Sequence, residues 1–95
     1  MIYVDKIIMK NGFLKSNNQE EIDSLHIVNL PLGTGWYKKE IVYDLILNNK
    51  FEIHVNISPY PLLIPSKSSK NEKYVKTVND DTQNDNLMNL PKEQL

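Results

Sequence analysis

The chain has 95 residues, of which 40% are hydrophobic, and a formal net charge of −1. This length supports one small core but not two, so we expect a single domain over residues 1–95. No basic stripe is visible, which argues against duplex nucleic acid as a partner, and the absence of cysteine excludes disulfides, thiolate metal sites and cysteine nucleophiles.

The first residues, Met1 to Lys6, include no basic segment followed by a long apolar run, so we expect no signal peptide. No apolar stretch approaches the roughly 20 residues that cross a bilayer. The 11 cationic side chains are all lysines. Anion recognition would therefore use lysine charges and backbone N–H groups, without the planar clamp of arginine. We expect a soluble, cytoplasmic protein without a membrane partner.

The first predicted strand runs from Ile2 to Met9, which is rich in β-branched and aromatic residues. Strict alternation places three of its side chains on one face: Ile2, Val4 and Ile8. The dipeptide Asn11-Gly12 then supplies the positive φ values of a tight hairpin. A short return strand through Phe13-Leu14 is therefore predicted.

A polar loop, residues 16–21, separates this hairpin from the next apolar segment. Residues 22–30 resume an apolar rhythm and predict another strand. Pro31 ends it, because proline cannot donate a backbone hydrogen bond.

The principal helix is predicted from Trp36 to Asn49, after the loop 31–35. Thr34 is the predicted N-cap, and the pair Asn48-Asn49 is the predicted stop. Five side chains fall at helical spacing and form the predicted inner stripe: Ile41, Val42, Leu45, Ile46 and Asn49.

The segment after the helix alternates cleanly from Phe51 to Ile57 and predicts a half-buried strand. Residues 58–65 contain three prolines, which rules out a central strand and favours an extended segment anchored by Leu62-Leu63-Ile64. Residues 66–73 are polar and predict a flexible connector.

The last part of the chain predicts a short strand from Tyr74 to Val78, a run of Asx-rich turns over residues 79–86, and one helical turn from Leu87 to Pro91. Five residues of this tail are expected to have structural roles: Asp85, Asn86, Leu87, Leu90 and Pro91. The predicted fold is α+β, a small, mainly antiparallel sheet with one principal helix packed on it.

Eleven positions of this tail follow a recognisable pattern: Tyr74, Val75, Lys76, Thr77, Asp80, Thr82, Asp85, Asn86, Leu87, Leu90 and Pro91. The pattern resembles that of a family of short bacterial and phage proteins, the domain of unknown function numbered 3892. Residues 36–40 and 49–53 are similar to the family's helix start and its step from helix to strand. The resemblance implies a compact α+β fold in which the tail is an integral element, and it implies no activity.

Two segments are candidates for ligand binding. A glycine-rich loop before a helix can present free N–H groups to a phosphate, and an aromatic residue nearby could stack on a base. The alternative is an ordinary turn with an N-cap. The second segment is the strand from Tyr74, where an aromatic ring beside a cation could take a ligand ring and its phosphate; the alternative is a solvated strand face. The predicted ligand-binding residues are Gly33, Thr34, Gly35, Trp36, Lys38, Lys39, Tyr74, Lys76 and Thr77.

No metal site, cofactor or catalytic residue is predicted. The cluster Asp80, Asp81 and Asp85 lacks the glycine and the closing glutamate of a calcium loop, so turn formation is the preferred interpretation. His26 and His54 have no partner that spacing can establish, and both are interpreted as exposed strand residues.

We therefore expect a non-catalytic binding module, phage-encoded, that sequesters or inhibits a host factor. The partner is expected to be a host protein or a small nucleotide-like signalling ligand. An alternative is a structural or regulatory protein–protein interaction module without a small ligand, and a minimal hydrolase is a weaker one. A core this small also leaves a homo-oligomer open.

Overall fold

The computed structural model describes residues 1–77 and 86–93. These residues form β1 (Ile2–Met9), a 3-10 turn (Gln19–Glu21), β2 (Ile22–Val28), β3 (Gly35–Lys38), α1 (Lys39–Asn49), β4 (Ile53–Val55), β5 (Leu63–Lys67), β6 (Lys73–Thr77) and β7 (Lys92–Glu93). The predicted α+β class, with one helix and mostly antiparallel pairing, is confirmed.

Strand β1 is the centre of the main sheet, whose order is β3-β2-β1-β4. One edge of β1 pairs antiparallel with β2. Its other edge pairs parallel with β4 at Tyr3 and Val4, and then with β7 at Ile7 and Ile8. Every other strand of this sheet except β3 therefore pairs with β1 directly.

A β-bulge at Asp5 changes which side chains of β1 face the core. The pairing with β2 shifts immediately after Val4, and Asp5 is the extra residue. Beyond the bulge, Ile7 and Met9 join Val4 in the core, whereas Ile8 is buried outside the core cluster. The prediction that Val4 and Ile8 share a face is wrong, because the bulge offsets the two-residue alternation.

The predicted tight hairpin after β1 is only partly correct. Gly12 has a φ of 87°, as a turn requires. The residues Phe13-Leu14 form no strand, however, and both side chains are nearly half exposed. Two apolar residues are too few to bury a return strand, so the chain continues through the 3-10 turn, and β2 is the strand that returns.

Helix α1 begins three residues later than predicted. The predicted start at Trp36 is wrong because residues 35–38 pair with β2 as strand β3. Thr34 is consequently not the N-cap. That position belongs to Lys38, which makes no side-chain capping bond. The helix ends at the expected residue, but Lys50, with a φ of 60°, forms the left-handed cap instead of an asparagine.

The inner face of α1 is also rotated relative to the predicted stripe. Val42 and Leu45 are buried as predicted, but Ile41 is 48% exposed and Asn49 is exposed. Tyr43 is buried in their place. It lies four residues after Lys39, the buried first residue of α1, so the two side chains share one face of the helix. Among the described residues no helix is long and apolar enough to cross a membrane.

Strands β5 and β6 form a separate two-stranded sheet. Pro65 is tolerated because β5 pairs with β6 alone among the described strands. Leu63 is 1% exposed, in line with its predicted anchoring role. Residues 66–73 supply the end of β5, a turn and the start of β6. The predicted strand from Tyr74 is confirmed as far as Thr77.

The tail from Asn86 packs onto the body of the protein. Leu87 and Leu90 are 0% and 4% exposed, and the N–H of Asn89 donates to the carbonyl of Asn86 at 3.2 Å. The carbonyl of Pro91 accepts from the Ile7 N–H at 3.0 Å, which delivers β7 to the edge of β1. The predicted helical turn is confirmed, while Val78, Asp80, Asp81, Thr82 and Asp85 lie outside the described residues.

An apolar cluster of described residues joins the main sheet, the helix, the β5–β6 sheet and the tail. Strand β4 alternates as predicted, although it is shorter than the predicted strand. The buried members are Val4, Ile7, Met9, Ile22, Leu25, Ile27, Leu30, Val42, Tyr43, Leu45, Ile53, Val55, Leu63, Val75, Leu87, Met88 and Leu90.

One charged side chain, Lys39, lies inside this assembly. It is 2% exposed. Its ammonium donates to the Glu20 carbonyl at 2.9 Å and to the carboxylate of Glu72. The same carboxylate oxygen accepts from Lys10 at 2.5 Å. A buried charge without a partner would be very costly, so Lys39 requires the 3-10 turn and the β5–β6 turn to lie against the start of α1.

The two lysines change the acid–base properties of Glu72. The hydrogen bonds from Lys10 and then Lys39 outweigh desolvation and lower the pKa of Glu72 from 4.5 to about 2. In return, the hydrogen bond to Glu72 raises the pKa of Lys10 above its usual value. Glu72 and Lys10 are therefore both ionised at neutral pH.

We predict that Glu72→Gln lowers the free energy of unfolding by about 1–2 kcal/mol at neutral pH, because it leaves Lys39 without its counter-ion. The pKa of Glu72 is lowered by folding, so its stabilisation is present above its unfolded value near 4.5 and is lost as the pH falls to about 2. Urea unfolding across this range should show the two proteins converging in acid. Glu52→Gln, at an exposed position with no ion pair among the described residues, is the control. An equal loss of stability at every pH would contradict the argument.

We predict that Leu87→Ala destabilises the protein by about 2–5 kcal/mol, because it opens a cavity in the core under the tail. Asn89→Ala, at an exposed position in the same turn, should change the free energy of unfolding by less than about 0.5 kcal/mol. Denaturant titration measures both. If Leu87→Ala behaved like Asn89→Ala, the tail would not be an integral element of the fold.

Candidate functional site

The main sheet has one covered face and one open face. The helix and the β5–β6 sheet contribute to the core cluster, which includes Leu25 and Ile27 of β2. Successive strand residues point to opposite faces, so His26 between them points away from the core. We call this side the open face and define it by Tyr3, Asp5, His26, Trp36, His54 and Tyr60.

Trp36 is the most prominent side chain on the open face. It is directly opposite His26 in the register of β2 and β3, so the two side chains share a face. Their rings make an edge contact with centroids 5.2 Å apart. Trp36 nevertheless remains 40% exposed. The sheet therefore presents a large aromatic ring that is held in position and still accessible.

His26 is itself held by the bulge residue Asp5. Its Nδ1 lies 2.7 Å from Asp5 Oδ1, and because a carboxylate can only accept, the ring nitrogen donates. The extra residue of the bulge thus supplies the carboxylate that orients the imidazole, which in turn supports Trp36. The interpretation of His26 as an exposed strand residue is wrong, since its side chain is 18% exposed and hydrogen-bonded.

A second aromatic group lies on the β1–β4 side of the open face. Tyr3 and His54 are register partners, and the rings of Tyr3 and Tyr60 meet edge-on at 6.1 Å. His54 Nδ1 donates to the Tyr60 carbonyl at 2.9 Å. His54 is half-buried, so its interpretation as an exposed residue is also wrong. Because β3 and β4 are three strand spacings apart, the two groups span about 14 Å.

Charged side chains near these rings are largely paired with one another. Lys38 donates to Asp23 Oδ2 at 2.9 Å, and Ser24 donates to the same oxygen at 2.7 Å. Desolvation opposes ionisation of Asp23, but these two hydrogen bonds outweigh it and lower the pKa of the carboxyl. Lys6 pairs with Glu93 at 3.4 Å. The surroundings of the open face are therefore close to neutral.

The glycine-rich loop does not lie at a helix N-terminus. Strand β3 separates it from α1, so the proposed presentation of helix N–H groups by Gly33 and Gly35 has no geometric basis. The loop's own polar groups stabilise its turn: Thr34 Oγ1 accepts from the Asn29 N–H at 3.1 Å, and the hydroxyl of Tyr37 donates to the Gly33 carbonyl at 2.6 Å.

The other predicted ligand-binding residues are dispersed. Lys38 faces Asp23, while Lys39 is buried against Glu72. On β6, Tyr74 and Lys76 are half-buried, and Thr77 is buried at 4% exposure. Within residues 1–77 and 86–93, no hydrogen bond or ion pair joins the Gly33–Lys39 segment to these three side chains.

Among the described residues, no hydrogen bond connects His26 or His54 to a hydroxyl nucleophile, and no cluster of three metal-ligating side chains is found. The sequence predicted a role for Trp36 but not for Asp5 or Tyr60, which also lie on the open face. Only recognition of the bulge could have indicated Asp5, and no local signal places Tyr60 beside Tyr3.

We predict that Asp5→Ala loosens Trp36, because His26 then loses the acceptor that orients its ring. The near-UV circular dichroism of the single tryptophan should weaken while the far-UV signal is kept. Asp44→Ala likewise removes a carboxylate with a side-chain partner, Lys73, but on α1, and should leave the tryptophan signal unchanged. Equal near-UV spectra for Asp5→Ala and the wild type would show that Asp5 does not support the aromatic group.

Comparison with known proteins places the chain in a family. A search of curated proteins and a search of solved structures each returned no match. One family model, described as a protein of unknown function (DUF3892), matches residues 6–91 and so includes most of the main sheet, the helix and the tail as far as Pro91. The resemblance inferred from the tail is confirmed, and the chain belongs to the DUF3892 family.

Proposed function

We propose that this protein is a non-catalytic binding module that captures a partner protein on the open face of its main sheet. The observation that carries the proposal is Trp36, an exposed ring braced by His26 and Asp5. Tryptophan and tyrosine are the side chains most enriched among residues that dominate protein–protein binding energy. They combine a large contact area with few rotatable bonds, so little entropy is lost on binding.

The surface is preorganised, which lowers the cost of association. Its central side chains come from paired strands, and His26 and His54 are each held by a hydrogen bond. Burying the exposed part of Trp36, roughly 100 Å², would contribute about 2–3 kcal/mol. A rigid aromatic centre of this kind, surrounded by polar residues, is the usual anatomy of an interface.

The balance of charge favours a protein over a nucleic acid. Binding to a phosphate backbone depends on unpaired cations, and Lys6 and Lys38, which flank the open face, are each paired with a carboxylate. The nucleotide-like ligand expected from the glycine-rich loop gains no support, because that loop does not precede the helix directly. We therefore favour a protein partner.

The proposed biological role is sequestration or inhibition of a host factor by a phage-encoded protein. A small module with a rigid binding surface suits that role. A second copy of the chain is a competing occupant of the same surface, and the experiment below separates the two.

We predict that Trp36→Ala strongly weakens partner capture while leaving the fold intact. Tagged wild-type protein and variants would be incubated in a lysate of the cells in which the protein is naturally made, and retained proteins quantified by mass spectrometry. The retained amount of a partner that uses the open face should fall at least tenfold with Trp36→Ala, because the partner loses its contact with the indole ring.

The matched control is Leu47→Ala. Leu47 is 44% exposed, close to the exposure of Trp36, but it lies on α1 and hence on the covered side of the sheet. It should retain the partner. Retention of the same proteins by Trp36→Ala, or an equal loss with Leu47→Ala, would overturn the proposal. Dimerisation of the wild type that Trp36→Ala disrupts, with no other protein retained, would identify the occupant as a second copy.

A further inference from the structure

A cleft of about 260 Å³ lies between the 3-10 turn and the turn that joins β5 to β6. One wall comes from the end of β1, the following loop and the 3-10 turn. The other wall comes from the β5–β6 turn. The lining side chains are Lys10, Phe13, Glu20, Glu21, Ser68, Ser69, Lys70 and Glu72. None of them belongs to the open face.

The charges between the two walls neutralise one another. Glu72 accepts from Lys10 and from the buried Lys39, and Lys10 also lies 3.9 Å from Glu21. The Lys39 ammonium additionally holds the Glu20 carbonyl at 2.9 Å. These contacts fix the walls relative to each other, so the cleft is part of the folded architecture.

Each wall also presents one charge that has no ion-pair partner among the described residues. On the first wall the Glu20 carboxylate accepts only a long 3.4 Å bond from the Asn18 amide. On the second wall the Lys70 ammonium makes no salt bridge within residues 1–77 and 86–93. The two opposite charges line one cleft, yet they do not come within salt-bridge distance of each other.

Uncharged groups beside these two charges complement them. On the Glu20 wall, the ring of Phe13 is 46% exposed, and an aromatic face attracts a cation. On the Lys70 wall, Ser68 Oγ already accepts from the backbone N–H groups of Lys70 and Glu72, each at 3.2 Å. Among the described residues, neither the Ser68 hydroxyl nor the Ser69 hydroxyl donates a hydrogen bond, so both can donate to an anion.

We propose that this cleft binds a small zwitterion of the α-amino acid class. The ammonium group would pair with Glu20 beside Phe13, and the carboxylate with Lys70 and the serine hydroxyls. The cleft's volume of about 260 Å³ is sufficient for such a molecule. Its ammonium and its carboxylate would each make a charge-assisted hydrogen bond of about 2.8 Å.

The site is independent of the open face. Binding of an amino acid here requires neither Trp36 nor a partner protein, so failure of either proposal leaves the other standing. The amino acid would link two walls that Glu72 already joins, and occupancy would stabilise the folded state.

The test is a titration of ¹⁵N-labelled protein with glycine, leucine, glutamate and phenylalanine, followed by amide chemical shifts. We expect at least one of them to give saturable shifts at Glu20, Ser69 and Lys70 with a Kd of about 0.1–10 mM. The deaminated and the decarboxylated analogues of the best binder should each bind at least tenfold more weakly, because each lacks one of the two charges.

Two variants and two controls locate the site. Glu20→Gln and Lys70→Met should each weaken binding at least fivefold. Glu52→Gln and Lys67→Met, at exposed positions outside the cleft, should leave the Kd unchanged. The proposal is overturned if none of the four amino acids saturates below about 20 mM, if an analogue with one charge binds as well as the amino acid, or if Lys67→Met weakens binding as much as Lys70→Met.

Discussion

The buried ammonium of Lys39 is the constraint on which the arrangement of this small domain depends. It sits at the first residue of α1, where the helix dipole disfavours a cation, and it has almost no contact with water. Within residues 1–77 and 86–93, its ammonium donates hydrogen bonds to the Glu20 carbonyl and the Glu72 carboxylate, which compensate for its desolvation. The 3-10 turn and the β5–β6 turn must therefore close over the start of the helix, and their closure creates the cleft between them.

Strand β1 organises the other half of the molecule. It pairs with β2, β4 and β7, and the tail is brought to its edge by the bond from Ile7 to Pro91. The bulge at Asp5 affects both faces of the sheet. It places Ile7 in the core on one side, and on the other side its carboxylate orients His26 beneath Trp36. Stability and the proposed binding surface thus share a single backbone irregularity.

The two surfaces proposed for binding differ in their physical character. The open face offers aromatic area with its nearby charges already paired, which suits a protein partner. The cleft offers two unpaired charges of opposite sign across a short distance, which suits a small zwitterion. In this structure the lysines thought to meet a phosphate are used for other contacts: Lys39 in the interior and Lys38 against Asp23.

Local sequence was sufficient for the elements whose signals lie within a few residues. Apolar alternation located β1, β2 and β4, and the positions of Leu87 and Leu90 identified the buried tail and, with its neighbours, the family.

Tertiary structure decided the rest, because those features depend on partners distant in the chain. The start of α1 was set by pairing of residues 35–38 with β2, which overrode their helical appearance. The burial of Lys39 required Glu72, 33 residues away. The bulge at Asp5 appears only when β1 is aligned with β2, so neither the orientation of His26 nor the exposure of Trp36 could be read from one strand alone.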